Sequence, residues 1–200
     1  MPDKYTFTAL VAAVLILPWV FIFIYKRFFS KSSNKLYDKL KKNYNLSMNY
    51  TSEKDVSADG VYRGKKISLA TATNGKESGV TTEVSVDAEN NSGFYFNVVR
   101  RKTSNNLKFS KKNSMTEDDE FDENFIVETN DTERMKKIFD FNSRFKLLQA
   151  MQFGLKGEIT LNGNTITYIE KGSIKDDASL MRTELILHEM CDMADALKFH

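Results

Sequence analysis

A short run near the end of the chain carries side chains that could bind a metal or act as nucleophiles. His188, Cys191 and Asp192 recur three and four residues apart, a spacing that places them on one face of a helix. The zinc-protease pattern needs histidine at positions i and i+4, and the later position here holds Asp192. One cysteine and two histidines are too few for a structural zinc site. We therefore expect His188 to lie at the edge of a buried stripe and to bond Asp192.

Cys191 would act as a nucleophile only if a base were aligned with its thiol. His188 is near it on the helix, but neighbours on one helix face rarely reach an attack geometry. Burial as a small apolar side chain is the expected role. A lone cysteine also cannot form an internal disulfide, which is typical of a protein in a reducing compartment.

The acidic run from Glu117 to Glu123 has some of the composition of a calcium loop. An EF-hand loop beginning at Asp118 needs Gly at its sixth position and Glu at its twelfth, where the sequence has Glu123 and Thr129. A solvated acidic loop facing the basic segment 100–112 is the better interpretation. Phosphate-binding glycine loops and Gly-x-Ser-x-Gly motifs are absent from the sequence. The sequence thus predicts no catalytic residue, no metal and no cofactor, and a protein that is not an enzyme.

Residues 5–25 form an uncharged apolar run of 21 residues. This run is the element expected to determine where the rest of the chain lies. A helix of that length rises about 30 Å, the thickness of a bilayer's hydrocarbon core. A cleaved signal peptide has a shorter apolar run followed by small residues, whereas Lys26 and Arg27 follow this one. We expect an uncleaved, single-pass transmembrane helix.

Basic residues after this run predict its orientation. Because cations near a membrane segment favour the cytoplasmic side, the N-terminus should face outward and the C-terminal domain should be cytoplasmic, on the cell's inner membrane. Cations near anionic lipid each contribute about 1 kcal/mol to membrane attraction. The candidate membrane-surface residues are Lys26, Arg27, Lys31, Lys35, Lys39, Lys41 and Lys42.

Residues 34–44 show the period of an amphipathic helix. Leu36, Tyr37, Leu40 and Tyr44 share one face, and the lysines occupy the other. Two compatible interpretations remain open. The apolar face is that of the first helix of the soluble domain, and the lysine face is either solvated or in contact with lipid.

Strand patterns dominate the middle of the chain. Alternation over residues 66–72, 81–88 and 94–99, with connections too short for crossover helices, predicts an antiparallel meander. Phe125–Thr129 is a further strand. Asn162-Gly163, between two alternating runs, predicts a hairpin.

Helices are predicted from capping residues and period. Asn130-Asp131 begins one helix over residues 132–153, with Phe145 in its buried stripe, and Asp176-Asp177 caps another over residues 178–199. The predicted fold class is α+β: an N-terminal transmembrane helix, then an antiparallel sheet packed against two or three helices. The predicted division is an anchor with its basic flank at 1–29, a juxtamembrane linker and helix at 30–45, and a soluble domain at 46–200.

The net charge of the chain indicates which classes of partner it can bind. The chain has 29 basic and 27 acidic residues, and the small excess comes from the juxtamembrane cations. A nucleic-acid-binding domain would show a basic face, so no nucleic-acid partner is expected.

Two short motifs carry a resemblance. The sequence Tyr62-Arg63-Gly64 and the later Phe121-Asp122-x-x-Phe125-x-Val127 resemble bacterial membrane-anchored domains of unknown function. The resemblance spans about residues 46–197 and implies an N-terminal membrane helix. It implies no active-site residues.

These observations favour an interaction domain held at the membrane, an accessory or structural subunit of a membrane-associated complex. The expected partners are the lipid bilayer and another membrane or membrane-associated protein. An apolar-ligand or lipid-binding domain at the membrane is the alternative, because its many Phe and Met residues would suit such a ligand as well as a core. An enzyme that uses His188 is a third and less favoured hypothesis.

Overall fold

The computed structural model describes residues 35–52, 55–73, 79–101 and 116–199. Within these ranges the chain forms one sheet of eight strands and a set of helices, which confirms the α+β prediction. The elements in chain order are α1 (residues 35–44), β1 (Ser47–Tyr50), β2 (Val56–Tyr62), β3 (Lys65–Thr73), β4 (Val80–Asp87), β5 (Phe96–Arg100), α2 (Asp119–Asn124), β6 (Phe125–Thr129), α3 (Thr132–Ile138), α4 (Phe141–Gln152), β7 (Glu158–Asn162), β8 (Thr165–Lys171) and α5 (Asp177–Phe199).

The transmembrane helix expected at residues 5–25 lies outside the described residues. In the part of the chain that is described, no helix combines the length and the apolar character needed to cross a bilayer.

All strand pairs are antiparallel, in the order β1-β2-β3-β4-β8-β7-β5-β6. The sheet buries one face. In one row across it, Leu69 pairs with Val84, Val84 with Tyr168, and Tyr168 with Ile159, and all four side chains are buried. Residues of the opposite parity, such as Glu83, are more exposed, so period-2 alternation sets which face meets the helices.

The predicted meander is correct through β4 and wrong after it. The hairpin of β7 and β8 lies between β4 and β5, so β4 pairs with β8 and β5 pairs with β7. The segment after β4 passes around the tip of this hairpin. Ala88 donates its N–H to Asn164 O at 2.9 Å, and Asn90 Nδ2 donates to Gly163 O at 2.8 Å. A short connection therefore joins two strands that are not neighbours.

Two hairpins match their local signals. Arg63 and Gly64 both have positive φ (52° and 75°), as a type I′ turn between β2 and β3 requires. In the β7–β8 hairpin the two turn residues are Gly163 and Asn164, and only Gly163 has positive φ (57°), which fits a type II′ turn. The predicted hairpin is confirmed, with its turn one residue later than Asn162-Gly163.

The helix predicted over residues 132–153 is two helices. Phe139 ends α3, and the Asp140 carboxylate accepts a hydrogen bond from Ser143 N at 2.9 Å, which begins α4. An aspartate in this position is an N-cap, because it satisfies an N–H that the first helical turn leaves unpaired.

The acidic run is also a helix rather than a loop. Asp118 caps α2 by accepting from Phe121 N at 3.0 Å, and acidic side chains in the first turn suit the positive end of the helix dipole. Phe121 is fully buried and stacks on Phe125, with ring centroids 4.8 Å apart. Asp118 also pairs with Arg144 of α4 at 3.0 Å, so α2 is fastened to the helical layer.

The helix α1 belongs to the core. Leu36, Tyr37, Leu40 and Tyr44 are buried, and the Tyr37 hydroxyl lies 2.9 Å from Thr71 Oγ1 of β3. The interpretation of residues 34–44 as the first helix of the soluble domain is confirmed. Asn45, with φ of 51°, ends the helix, and Leu46 N donates back to Lys41 O at 3.1 Å, as in a Schellman motif.

A buried ion pair lies between the sheet and α5. Arg182 donates from Nε to Glu170 Oε2 at 2.9 Å and from Nη2 to Oε1 at 2.8 Å, and the Tyr168 hydroxyl donates to Glu170 at 2.7 Å. Gly157 makes room for the Tyr168 ring, since a Cβ at position 157 would lie 2.4 Å from Tyr168 Cε2 and 2.3 Å from Ile169 O.

Candidate functional site

A groove of about 540 Å³ lies on the helical side of the domain. Its floor is α5, one wall is the end of α1 with Tyr44, and the other wall is α4 with its following residue Phe153. Sites for small molecules are typically concave, mostly apolar and about 300–1,000 Å³ in volume. The groove is lined by Tyr44, Lys146, Gln149, Phe153, Met181, Glu184, Leu185, His188 and Asp192, and we call it the α5 groove.

Polar contacts hold α1 against α5 and so fix one wall of the α5 groove. Asn43 donates to Glu184 at 3.0 Å, and His188 Nε2 lies 3.0 Å from the Tyr44 hydroxyl. Tyr44, Tyr62 and His188 form an edge-to-face cluster with ring centroids 4.9–5.8 Å apart. Burial, reinforced by the Glu184 carboxylate, raises the pKa of the Tyr44 phenol, which therefore stays protonated at neutral pH.

Six ionic side chains alternate in sign beside the groove, and we call them the charge chain. Its carboxylates all come from α5 at intervals of three residues, and its cations come from α4, from the β2–β3 turn and from the first residue of β3. The order of contacts is Glu189, Lys146, Asp192, Arg63, Asp195 and Lys65. When all six groups are ionised, three positive charges balance three negative charges.

The charge chain fastens the β2–β3 turn and α4 onto the last helix. Arg63 bridges two carboxylates, with Nη2 3.2 Å from Asp195 Oδ2 and Nη1 2.5 Å from Asp192 Oδ1. Burial alone would raise the pKa of Asp192, but hydrogen bonds from Lys146 and Arg63 outweigh it and lower that pKa. Asp192 therefore remains ionised, and both cations keep their partner.

Glu189 is the buried end of the charge chain. Its side chain is 0% exposed, and Lys146 Nζ, 3.3 Å from Oε2, supplies a compensating charge. Neither carboxylate oxygen has a well-formed hydrogen bond among the described residues. Burial raises the pKa of Glu189, while Ser143 and Lys146 oppose that shift.

We expect Glu189 to make stability depend on pH in a defined direction. Because its folded-state pKa is raised above the ordinary value of 4.5, the folded protein holds this proton more tightly than the unfolded chain does. The free energy of unfolding should therefore fall as pH rises from 4.5 through the folded-state pKa. The wild-type protein should lose stability relative to Glu189→Gln as the pH rises above 4.5, measured by urea unfolding at a series of pH values. A difference that stays constant, or that grows in favour of the wild type, would contradict this.

Two phenylalanines project from α4 into solvent. Phe141 is 69% exposed and Phe145 is 57% exposed, and their rings stack with centroids 6.3 Å apart and planes 17° apart. The prediction that Phe145 lies in a buried stripe is wrong, because the break at Phe139 rotates α4 relative to α3. A single exposed apolar residue is ordinary on a soluble surface, but a stacked aromatic pair resembles the anchors of protein interfaces.

The fold resembles that of a known transport factor. The crystal structure of the mycobacterial trehalose monomycolate transport factor A, TtfA, matches this chain with a TM-score of 0.52 and 10% sequence identity. The match covers 86% of this chain and 95% of that chain. At this identity the likeness concerns the fold. No protein-family model and no curated protein matches the sequence.

The structure places the residues singled out at positions 188–192 in separate environments. His188 contacts Tyr44 rather than Asp192, so the predicted His188–Asp192 bond is wrong, and Asp192 instead binds Arg63 and Lys146. Cys191 is buried, as predicted, and burial raises the pKa of its thiol to about 11. Among the described residues no three His, Cys, Asp or Glu side chains come together as a metal site.

The predicted membrane-surface cations fall in two groups. Lys26, Arg27 and Lys31 lie outside the described residues. Lys35, Lys39, Lys41 and Lys42 are exposed on α1, and Lys39 pairs with Asp177 at 3.2 Å. Their exposure is compatible with both interpretations of this face, solvation or contact with lipid.

Sequence reasoning missed the α5 groove and the charge chain. Met181, Leu185, His188 and Asp192 follow a helical spacing that marks one face of α5, but this face borders the buried stripe and looks continuous with it. The partners of that face come from α1, α4 and the β2–β3 turn, and their meeting depends on the tertiary fold.

Proposed function

We propose that this chain is a membrane-anchored accessory domain that serves a lipid-transport machinery by binding one of its membrane proteins. The observation that carries the proposal is the fold shared with the trehalose monomycolate transport factor over 95% of that chain. Fold likeness alone does not carry function from one protein to another, so the remaining argument comes from this chain's own residues.

The sequence supports a place at the membrane. Residues 5–25 are long and apolar enough to span a bilayer, and the cations that follow favour a cytoplasmic C-terminal domain. The helix α1 begins a few residues after those cations and packs into the domain core. The folded domain would therefore be held close to the inner leaflet, where a membrane protein partner is within reach.

The surface proposed for that partner is the Phe141–Phe145 pair. Hot spots of protein interfaces are enriched in rigid aromatic side chains and often contribute 2 kcal/mol or more each. The function proposed is binding rather than catalysis. Lys146 and Asp192, which line the α5 groove, are paired with each other in the charge chain, and Cys191 is buried as a protonated thiol.

The test is affinity purification of the full chain from native membranes, with a tag after His200 and mild detergent. We expect a specific membrane protein to co-purify with the wild type. The Phe141→Ser/Phe145→Ser variant should recover it at least about tenfold less well, because a loss of 1.4 kcal/mol already changes affinity tenfold. Val61→Ser/Tyr95→Ser is the matched control, since it removes two side chains that are 66% and 47% exposed elsewhere.

Two results would overturn the proposal. The first is a wild-type protein that enriches no membrane protein over an untagged control. The second is a tag that is accessible to protease or antibody outside intact cells, because the domain would then lie on the other side of the membrane.

One observation favours the alternative function of binding an apolar ligand. The α5 groove is concave, its volume lies in the range of small-molecule sites, and it combines the apolar surfaces of Tyr44, Phe153, Met181 and Leu185 with five polar or charged side chains. A protein that carries out both roles would hold a lipid while it docks on a partner.

A further inference from the structure

We infer that the α5 groove receives an arginine side chain of a docked polypeptide, with the Glu184 carboxylate as its counter-charge. The inference rests on the proposed function in one respect, that the occupant is a polypeptide that docks beside the Phe141–Phe145 pair. The volume, the lining and the charges of the groove are independent of that function.

Glu184 is the carboxylate of the groove that the charge chain leaves out. It is half-buried, and its Oε1 accepts a hydrogen bond from Asn43 Nδ2 at 3.0 Å. Among the described residues no cationic group lies within 4.0 Å of its carboxylate oxygens. An amide donor satisfies a lone pair but brings no positive charge, so Glu184 remains without a counter-ion. A ligand that carries a cation would supply one.

The groove's own lysine is engaged at the opposite end. Lys146 binds Asp192, and its Nζ lies 3.3 Å from Glu189 Oε2. Asp192 comes eight residues after Glu184 on α5, which corresponds to about 12 Å along the helix at 1.5 Å per residue. Lys146 is therefore both occupied and held away from Glu184, and it leaves that end of the groove open to an incoming cation.

Apolar surface surrounds Glu184. Met181 and Leu185 flank it on α5, and Phe153 lies on the facing wall. Tyr44 forms the other wall, where burial and then the Glu184 charge raise the pKa of its phenol. Arginine suits this mixture, because its methylene stem can lie along apolar side chains while its guanidinium pairs with a carboxylate and packs on aromatic rings.

The groove continues the surface proposed for the partner. Side chains spaced four residues apart form one ridge along α4 and its C-cap, from the exposed pair to the groove wall: Phe141, Phe145, Gln149 and Phe153. A polypeptide that contacts the two exposed rings can therefore place a neighbouring side chain in the groove. A small molecule held in the groove alone would leave those rings uncovered.

The proposed location of the domain makes arginine available. Cytoplasmic segments of membrane proteins close to the bilayer carry an excess of Lys and Arg. The guanidinium group offers several N–H donors in a planar fork that matches a carboxylate, and it is less strongly hydrated than an ammonium group. We therefore expect a segment in which an apolar residue, which meets the phenylalanines, lies next to an arginine.

The experiment uses the full chain reconstituted in phosphatidylcholine nanodiscs, which carry no net lipid charge. The probe is acetyl-leucyl-photoleucyl-arginine amide, whose diazirine reacts on illumination, and mass spectrometry locates the labelled peptides. Matched probes carry citrulline, the neutral isostere of arginine, or lysine in its place. We expect the peptides of α4 and α5 that line the groove to be labelled, and the arginine probe to label them most strongly.

Variants identify the counter-charge. Glu184→Gln keeps an acceptor for Asn43 and removes the charge, and it should reduce groove labelling by the arginine probe at least about fivefold. Glu83→Gln is the matched control, because it makes the same change at an exposed position of β4, and labelling should be unchanged. Gln149→Arg supplies an arginine from the α4 wall and should also reduce labelling. Circular dichroism confirms that each variant is folded.

Competition distinguishes a polypeptide site from a site for a small cation. Ethylguanidine carries the cation without the neighbouring apolar residue, so it should displace the probe only at much higher concentration than unlabelled acetyl-leucyl-leucyl-arginine amide does. Displacement at the same concentration would identify a small-cation site and overturn the inference.

The remaining outcomes separate this inference from the proposed function. Labelling that avoids the groove, that survives both groove variants, or that is as strong with citrulline or lysine overturns the inference, whether or not a partner co-purifies. If the wild type captures a membrane protein and Glu184→Gln captures it equally well, the inference is wrong and the proposed function stands. Groove labelling that depends on Glu184, with no membrane protein captured, supports the inference and overturns the proposed function.

Discussion

Replacing Arg182 by Met is expected to lower the free energy of unfolding by about 3–5 kcal/mol. The guanidinium makes two hydrogen bonds to the Glu170 carboxylate, at 2.8 and 2.9 Å, and also donates to Phe153 O. The Glu170 side chain is only 1% exposed and the Arg182 side chain 12% exposed. Without Arg182 the carboxylate would keep, among the described residues, the Tyr168 hydroxyl as its hydrogen-bond partner, and a buried charge would lose its counter-ion.

Urea unfolding of the full chain in detergent micelles, followed by far-ultraviolet circular dichroism, measures this effect. Lys39→Met is the control, because it removes an exposed pair in which the side chains are 57% and 77% exposed, and it should cost less than about 1 kcal/mol. The double variant Glu170→Met/Arg182→Met should be more stable than Arg182→Met, since it removes the unpaired charge as well. Equal losses for Arg182→Met and Lys39→Met would show that the ion pair is not buried as described.

Replacing Phe139 by Ala is expected to cost about 3–5 kcal/mol, the usual range for removing a buried aromatic ring. Phe139 is 0% exposed at the junction of α3 and α4. Its ring meets Phe96 of β5 edge to face at 5.1 Å and lies 6.4 Å from the ring of Phe121 in α2. The substitution would leave a cavity where three parts of the fold meet.

Phe145→Ala provides the control for this prediction, because it removes the same ring from a position that is 57% exposed. Its free energy of unfolding should change by about 0.5 kcal/mol or less. The two variants also separate stability from function. Phe139→Ala should lower the midpoint of urea unfolding, whereas Phe145→Ala should weaken partner capture and leave that midpoint in place. The reverse pattern would mean that α4 presents its other face to the core.

Local signals in the sequence were sufficient where a few neighbouring residues decide the structure. Arg63-Gly64 specifies a tight turn because both residues adopt positive φ, and Asp131 caps α3 by accepting from Arg134 N at 3.0 Å. Asp140 gives the same kind of signal for α4, but it was hidden by apolar residues on either side that continue a helical spacing. The acidic residues at 118–123 hid a helix in a similar way, because charge suggested a loop while Phe121 supplied the buried anchor.

Sheet order and the candidate site could not be read from local signals. Val84 pairs with Tyr168, and the choice of β8 over β5 as the neighbour of β4 depends on how the whole inner face packs. Arg63 and Asp192 look equally unremarkable in the sequence, as a turn residue and a helix residue. Their contact depends on where α5 packs relative to the β2–β3 turn, which local sequence does not indicate. The prediction of a bond between His188 and Asp192 was wrong for the same reason. His188 contacts Tyr44 of α1, and Asp192 pairs with Arg63 of the β2–β3 turn.

The insertion of the β7–β8 hairpin also sets the order in which the chain can assemble. During synthesis β4 emerges before its partner, so its free edge has to wait until β5, β6, β7 and then β8 have been made. An unpaired strand edge is a template for pairing with other chains. The membrane tether proposed for residues 5–25 would keep such half-built domains apart during that delay. Overproduction without the tether should therefore favour aggregates over folded protein.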